Sequence, residues 1–142
     1  MIVRDHGVRY CLLPLPDSRL NSVIEISSDD VTLSRLTIIQ NSTNFSYVVE
    51  FHNDDIVISN SIIDYWISSA YGRTALYADG DNVIISNNSI YEAEWCIELE
   101  DSDNSLVENN ILGRESSDSD PSKCMFRVYN SDNNAIRNSF FH

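Results

Sequence analysis

The stretch that decides the fold is DNVIISNNSI, residues 81–90, because it returns as DNSLVENNIL at residues 103–112 and three more times in looser form. The full copies read SVIEISSDDVTLSRLTI from Ser22, VVEFHNDDIVISNSII from Val48, ALYADGDNVIISNNSI from Ala75, CIELEDSDNSLVENNIL from Cys96 and FRVYNSDNNAIRNSFF from Phe126. Each is an alternating strand, an Asp/Asn turn, a second apolar strand and a polar corner. With Leu33, Ile58, Ile85, Val107 and Ile136 as equivalent positions, the copies are 25, 27, 22 and 29 residues apart. A fixed phrase at variable spacing is one coil of a solenoid, with a loop absorbing the difference in length.

Within each copy the period is two, as a strand requires. Ile24 and Ile26, Val49 and Phe51, Leu76 and Ala78, Ile97 and Leu99, and Phe126 and Val128 are expected to point inward. After the turn, Val31 and Leu33, Ile56 and Ile58, and Val83 and Ile85 repeat the pattern. The fourth and fifth copies carry one extra turn residue, so Val107 and Ile136 hold the register while Ser105 and Asn134 weaken the first inward site. A third short strand contributes Ile38, Ile63, Ile90, Leu112 and Phe141. No segment sustains the i, i+3, i+4, i+7 stripe of a helix. The expected fold is therefore all-β, a parallel β-solenoid of about five coils with three short strands each. One coil cannot bury its own apolar face, but coils stacked at ~4.8 Å can. Asn60, Asn87, Asn109 and Asn138, with Arg35 in the first copy, occupy one corner position. Asn tolerates a left-handed backbone, and stacked amides can bond from coil to coil, so an asparagine ladder is expected there.

DNVIISNNSI, DNSLVENNIL and their fellows give residues 22–141 a resemblance to right-handed parallel β-helix repeats. The chain looks most like the short coils of NosD-like surface proteins and of carbohydrate-binding and sugar-hydrolase (CASH) domains, with a pectin-lyase-like fold. The resemblance implies a scaffold shared by lyases, epimerases, tailspikes and surface proteins, so it speaks to fold and leaves function open.

At 142 residues the chain reads as an N-terminal cap or irregular segment over residues 1–21 and β-helix repeats over 22–142. The N-terminal segment has no charged region ahead of a long apolar run, as a secretory leader would, and no stretch is long enough to span a bilayer. Twenty-two Asp and Glu against nine Lys and Arg give a net charge of −13, which disfavours nucleic acid as a partner. Three cysteines, Cys11, Cys96 and Cys124, have no metal-type spacing. Cys96 and Cys124 fall on adjacent coils one position out of register, which argues against a bond between them.

Alternation also maps the outside. On the first strand of each coil the outward columns are Glu25–Glu50–Tyr77–Glu98–Arg127 and Ser27–His52–Asp79–Glu100–Tyr129. Carboxylates one coil apart repel and raise a pKa, or recruit a cation. Glu50, His52, Tyr77 and Asp79 are the candidate acid/base group, able to abstract a proton beside a uronate carboxyl or to cleave a glycosidic bond. Asp79, Glu98 and Glu100 are candidate ligands for Ca²⁺, the one cofactor considered; their E-x-E pattern is similar to calcium-dependent lyases of this fold. Tyr65, Trp66, Tyr71, Arg127 and Tyr129 are candidate sugar contacts, the first three from a long loop region that, with Phe45, brings aromatic rings beside the carboxylates. The Gly-His-Gly and Arg-x-Lys of polygalacturonases and the Asp-Pro-His-Asp of alginate epimerases are absent.

Strand two differs, because its outward residues Thr32, Val57, Ile84, Leu106 and Ala135 are mostly apolar, and such a stripe is normally covered. The expected protein is an extracellular, cell-surface or virion module, structural or polysaccharide-binding on its acidic face. The alternative is a polysaccharide-active enzyme, a uronate lyase, epimerase or hydrolase. A homo-oligomer, or membership of a longer chain, is expected from the apolar stripe and an uncapped last coil.

Overall fold

The computed structural model describes residues 22–40, 46–65, 73–91, 93–113 and 125–141. In these, five coils each lay down three strands: β1 (Ser22–Ile26), β2 (Thr32–Ser34) and β3 (Thr37–Gln40); β4 (Tyr47–Phe51), β5 (Val57–Ser59) and β6 (Ile62–Tyr65); β7 (Thr74–Ala78), β8 (Ile84–Ser86) and β9 (Ser89–Tyr91); β10 (Trp95–Glu100), β11 (Leu106–Glu108) and β12 (Ile111–Gly113); β13 (Met125–Tyr129), β14 (Ala135–Arg137) and β15 (Phe140–Phe141). They form three five-stranded sheets, ordered β1-β4-β7-β10-β13, β2-β5-β8-β11-β14 and β3-β6-β9-β12-β15. Every pairing is parallel, so the chain is an all-β solenoid of five rungs, four turns from the first rung to the last. No helix among the described residues is long and apolar enough to cross a membrane.

The register follows the repeat. Leu33, Ile58, Ile85, Val107 and Ile136 pair in one column, and Ile38, Ile63, Ile90, Leu112 and Phe141 in another. Phe51, Ile58, Ile63, Leu76, Ile85, Ile90, Ile97, Leu99 and Leu112 are fully buried, forming one continuous core along the axis. Each such side chain contributes about 1.5–3 kcal/mol through loss of contact with water. Burial fades at the last rung, where Val128 and Ile136 are exposed.

Two columns of left-handed residues turn the chain between sheets. After the first strand they are Asp30, Asp55, Asn82, Asn104 and Asn133; after the second, Arg35, Asn60, Asn87, Asn109 and Asn138. These are the residue types whose short side chains best tolerate positive φ, Arg35 apart. The extra turn residue of the fourth and fifth coils is also left-handed: Asp101 and Asn130 have φ of 49° and 48°.

The expected asparagine ladder is displaced by one residue. Asn60, Asn87, Asn109 and Asn138 turn the backbone, and their side chains are exposed. The buried amides are their successors. Asn88 Nδ2 donates to Asn110 Oδ1 at 3.1 Å and to the Ile58 carbonyl at 3.0 Å. Asn88 Oδ1 accepts the Ser61 N–H at 2.9 Å, Asn110 Oδ1 accepts the Asn88 N–H at 2.9 Å, and Asn110 Nδ2 donates to the Ile85 carbonyl at 2.9 Å. A left-handed residue re-aims the next side chain inward, where backbone groups freed at the corner need partners.

A second polar ladder runs along the first turn, unforeseen in the sequence. Asp29, Asp54, Asp81 and Asp103 each accept, through Oδ1, the backbone N–H of the next coil's aspartate, at Asp54, Asp81, Asp103 and Asp132, over 3.2, 2.8, 2.8 and 2.6 Å. Ser105 and Asn134 similarly stand where smaller coils put valine or isoleucine. Ser105 Oγ accepts the Val83 N–H at 3.0 Å, and Asn134 Oδ1 accepts the Ser105 N–H at 2.7 Å. Ser105 thus remains inside, exchanging apolar contact for hydrogen bonds.

The apolar stripe on the second sheet is only partly covered: Ile84 is exposed and Val57 and Leu106 are half-buried. The third sheet carries its own outward apolar residues, Ile62, Ile111 and Phe140, the last 73% exposed. The cap expected over residues 1–21 lies outside the described residues. Cys96 is disulfide-bonded, and the other two cysteines lie outside the described residues.

Candidate functional site

The first sheet presents the candidate face. Glu25 pairs with Glu50, Glu50 with Tyr77, Tyr77 with Glu98, and Glu98 with Arg127, in the order alternation gives; Glu100 pairs with Tyr129. Strict alternation fails at the start of these strands. Val48 and Val49, Ala75 and Leu76, and Cys96 and Ile97 are all buried as adjacent pairs. Two consecutive inward residues throw the preceding one outward. Tyr47, Thr74 and Trp95 therefore join the outer face, which the sequence reading missed. The Tyr47 ring lies 4.7 Å from that of Tyr77, Thr74 Oγ donates to Glu98 Oε2 at 2.8 Å, and Trp95 lies beneath the Arg127 guanidinium at 5.4 Å. The signal available was the run of two apolar residues after each of these positions, one more than alternation allows.

The four candidate acid/base residues do come together. His52 spans the two neighbouring carboxylates, with Nδ1 2.7 Å from Asp79 Oδ2 and Nε2 3.1 Å from Glu50 Oε1. Only the imidazolium can donate from both nitrogens; a neutral ring would turn a lone pair toward one carboxylate. Its pKa is accordingly raised, chiefly by the hydrogen bond to Asp79 and then by the charges of Asp79 and Glu50, while partial burial pulls the other way. The Tyr77 ring meets His52 edge-on at 5.9 Å, and its hydroxyl donates to Glu100 Oε2 at 2.9 Å. Burial first, then that hydrogen bond, pushes the Tyr77 pKa well above the usual phenol value. Tyr47 is raised too, by burial and then by Glu50.

Beside this group, Glu98 is almost completely buried and accepts from Thr74 and from Arg127 Nη1, the latter at 2.8 Å. The Arg127 guanidinium also lies 5.7 Å from the Tyr129 ring, so it sits between two aromatic faces. Tyr129 is 48% exposed.

The three carboxylates considered for Ca²⁺ are spent on different partners: Asp79 on His52, Glu98 on Thr74 and Arg127, and Glu100 on Tyr77. No group of three or more His, Cys, Asp and Glu among the described residues has a metal-holding arrangement.

Tyr65 corrects another expectation. It is fully buried in the core, and Arg73 Nη1 donates to its hydroxyl at 2.9 Å. Burial raises its pKa, partly offset by Arg73. A ring packed inside cannot stack on a sugar. Trp66, Tyr71 and Phe45 lie outside the described residues.

Chemically, general acid/base catalysis needs a group that can exchange its proton with the substrate. Here both nitrogens of His52 face carboxylates and the Tyr77 proton is committed to Glu100. What the face leaves open to solvent is aromatic and charged surface: Tyr129, Arg127 and the edge of His52. No protein-family model, curated protein or solved structure matches this chain.

Proposed function

We propose that the chain is an extracellular β-helix module, of the NosD-like or CASH kind, that holds a polysaccharide on its first sheet without turning it over. The observation that carries this reading is the mutual satisfaction of the acid/base groups, His52 with Glu50 and Asp79 and Tyr77 with Glu100, beside aromatic rings left on the surface. Fixed side chains on a rigid sheet cost little entropy to order when a ligand binds. Aromatic faces backed by carboxylates suit pyranose rings, whose C–H faces stack and whose hydroxyls donate. The disulfide at Cys96 supports an oxidising compartment, at a cell surface or on a virion. Outward Ile62, Ile84, Ile111 and Phe140 support association with a second copy. Light scattering at micromolar concentration should find a dimer or larger species; a strict monomer would remove that part of the reading.

A glycan array followed by calorimetry tests the main part, together with an assay for new reducing ends and unsaturated uronates. Saturable binding with no product release is expected, and Tyr129→Ala should weaken it. Product release abolished by His52→Gln would establish the enzyme instead.

A further inference from the structure

Resting on the reading that this chain associates with a second copy, we infer where the copy docks: two molecules meet last rung to last rung about a two-fold axis, as a closed end-to-end dimer. The two ends of the stack differ. On the first rung Ile26 is 6% exposed and Leu33 is half-buried. Their counterparts in register on the last rung, Val128 and Ile136, are 40% and 47% exposed. Inward-facing apolar side chains are thus open to water at the last rung and shielded at the first.

The open end is also a strand edge with unspent hydrogen bonds. The left-handed corner residues donate their N–H groups to carbonyls of the following coil. Asn82 donates to Asp103 and Asn104 to Asp132 at the first turn, and Asn87 donates to Glu108 and Asn109 to Arg137 at the second. Asn133 and Asn138 hold those places on the last rung, and among the described residues their N–H groups have no acceptor. Carbonyls face the same way, since Ser105 and Asn110 accept from Ala135 and Phe140 of the coil that follows. Asn134 and Ser139 stand in the equivalent positions of the last rung. An edge with both donors and acceptors can pair with itself when the second strand runs antiparallel, which is the arrangement a two-fold axis gives.

Charge allows contact here although two copies at −13 repel. Residues 93–113 hold six carboxylates and no Lys or Arg, whereas residues 125–141 hold only Asp132, Arg127 and Arg137. Both arginines reach back to the fourth coil, to Glu98 and Glu108. Outward Ile62 and Ile111 on the third sheet are the rival surface, but β6 and β12 each have strand neighbours on both sides and offer no open edge. Head-to-tail stacking would need a first rung as open as the last, and it would run on as a filament.

The test uses the full chain. Light scattering at micromolar concentration should find a dimer and nothing larger. A nitroxide-bearing residue in place of Ser28, which is exposed on the first rung, reads the geometry by pulsed electron resonance. With rungs ~4.8 Å apart, the two labels should lie about 43 Å or more apart in the end-to-end dimer, against about 24 Å in a head-to-tail stack. Ile136→Lys and Val128→Lys each aim a charge into the edge and should weaken the dimer at least about tenfold with the parent's circular dichroism, whereas Ile62→Lys should change it less than about twofold. Should the lysine variants unfold, the label distance in the otherwise native chain decides. A short label distance, a mass that keeps growing with concentration, or a greater loss from Ile62→Lys than from Ile136→Lys would overturn the docking inference and leave association standing. A strict monomer would overturn both.

Discussion

Replacing Asn88 with alanine asks which of two neighbouring asparagines holds the coils together. The Asn88 amide is buried between the second and fourth coils, with its oxygen on the Ser61 N–H and its nitrogen on the Ile58 carbonyl and the Asn110 side chain. Alanine leaves Ser61 N–H and Ile58 C=O without those partners. The Ser61 N–H is then unsatisfied at about 1–3 kcal/mol, and the Ile58 carbonyl, still within the β5–β8 ladder, adds the loss of one bond at about 0.5–1.5 kcal/mol, less whatever a trapped water restores. Asn110 Oδ1 keeps the Asn88 backbone N–H, which limits damage to one step of the ladder. Against a typical total of about 5–15 kcal/mol, the loss is large. Asn87, one residue earlier, is exposed with φ of 56°. Asn87→Ala should cost only the left-handed penalty, about 1 kcal/mol, and Asn87→Gly should be neutral or stabilising. Urea unfolding followed by far-ultraviolet circular dichroism gives the comparison, read as midpoint shifts at constant slope. Equal losses for Asn87→Ala and Asn88→Ala, or a larger loss at Asn87, would refute the assignment of the ladder to the inner column.

Ile85→Asp places an unpaired carboxylate in the fully buried central column and should cost several kcal/mol; a parent-like melting temperature would show the register to be wrong. His52, its pKa raised in the folded state, contributes stability that is complete below its unfolded pKa of about 6.5 and is lost as pH climbs through the higher folded value. The parent should therefore lose stability relative to His52→Gln from about pH 6.5 upward, by no more than about 1 kcal/mol because the bridge is partly exposed, and parallel pH profiles would contradict this. Gly80→Ala directs a methyl group into the backbone carbonyl of Asn53 on the preceding coil, so a loss of about 1–3 kcal/mol is expected in thermal melts, and an unchanged melt would mean the turns can separate freely.

The repeat phrase determined the coil. Alternation in Val49–Phe51, Leu76–Ala78 and Ile97–Leu99, with an apolar residue at Ile58, Ile85 and Val107, names the buried columns because side-chain direction in a strand reverses at every residue. The outer order of Glu50, Tyr77, Glu98 and Arg127 follows from the same register, as does the meeting of His52 with Asp79. Tertiary structure decided what alternation cannot express. The corner's left-handed backbone turned Asn88 and Asn110 inward in place of Asn87 and Asn109, and the paired inward residues at the start of the first-sheet strands brought Tyr47 and Trp95 outside. Tyr65 went to the core although its neighbourhood read as a loop. Whether Asp79, Glu98 and Glu100 gather around one ion or each find a partner is likewise a matter of distances between coils. Sequence fixes direction along a strand, whereas hydrogen bonds between residues more than twenty apart depend on how the coils stack.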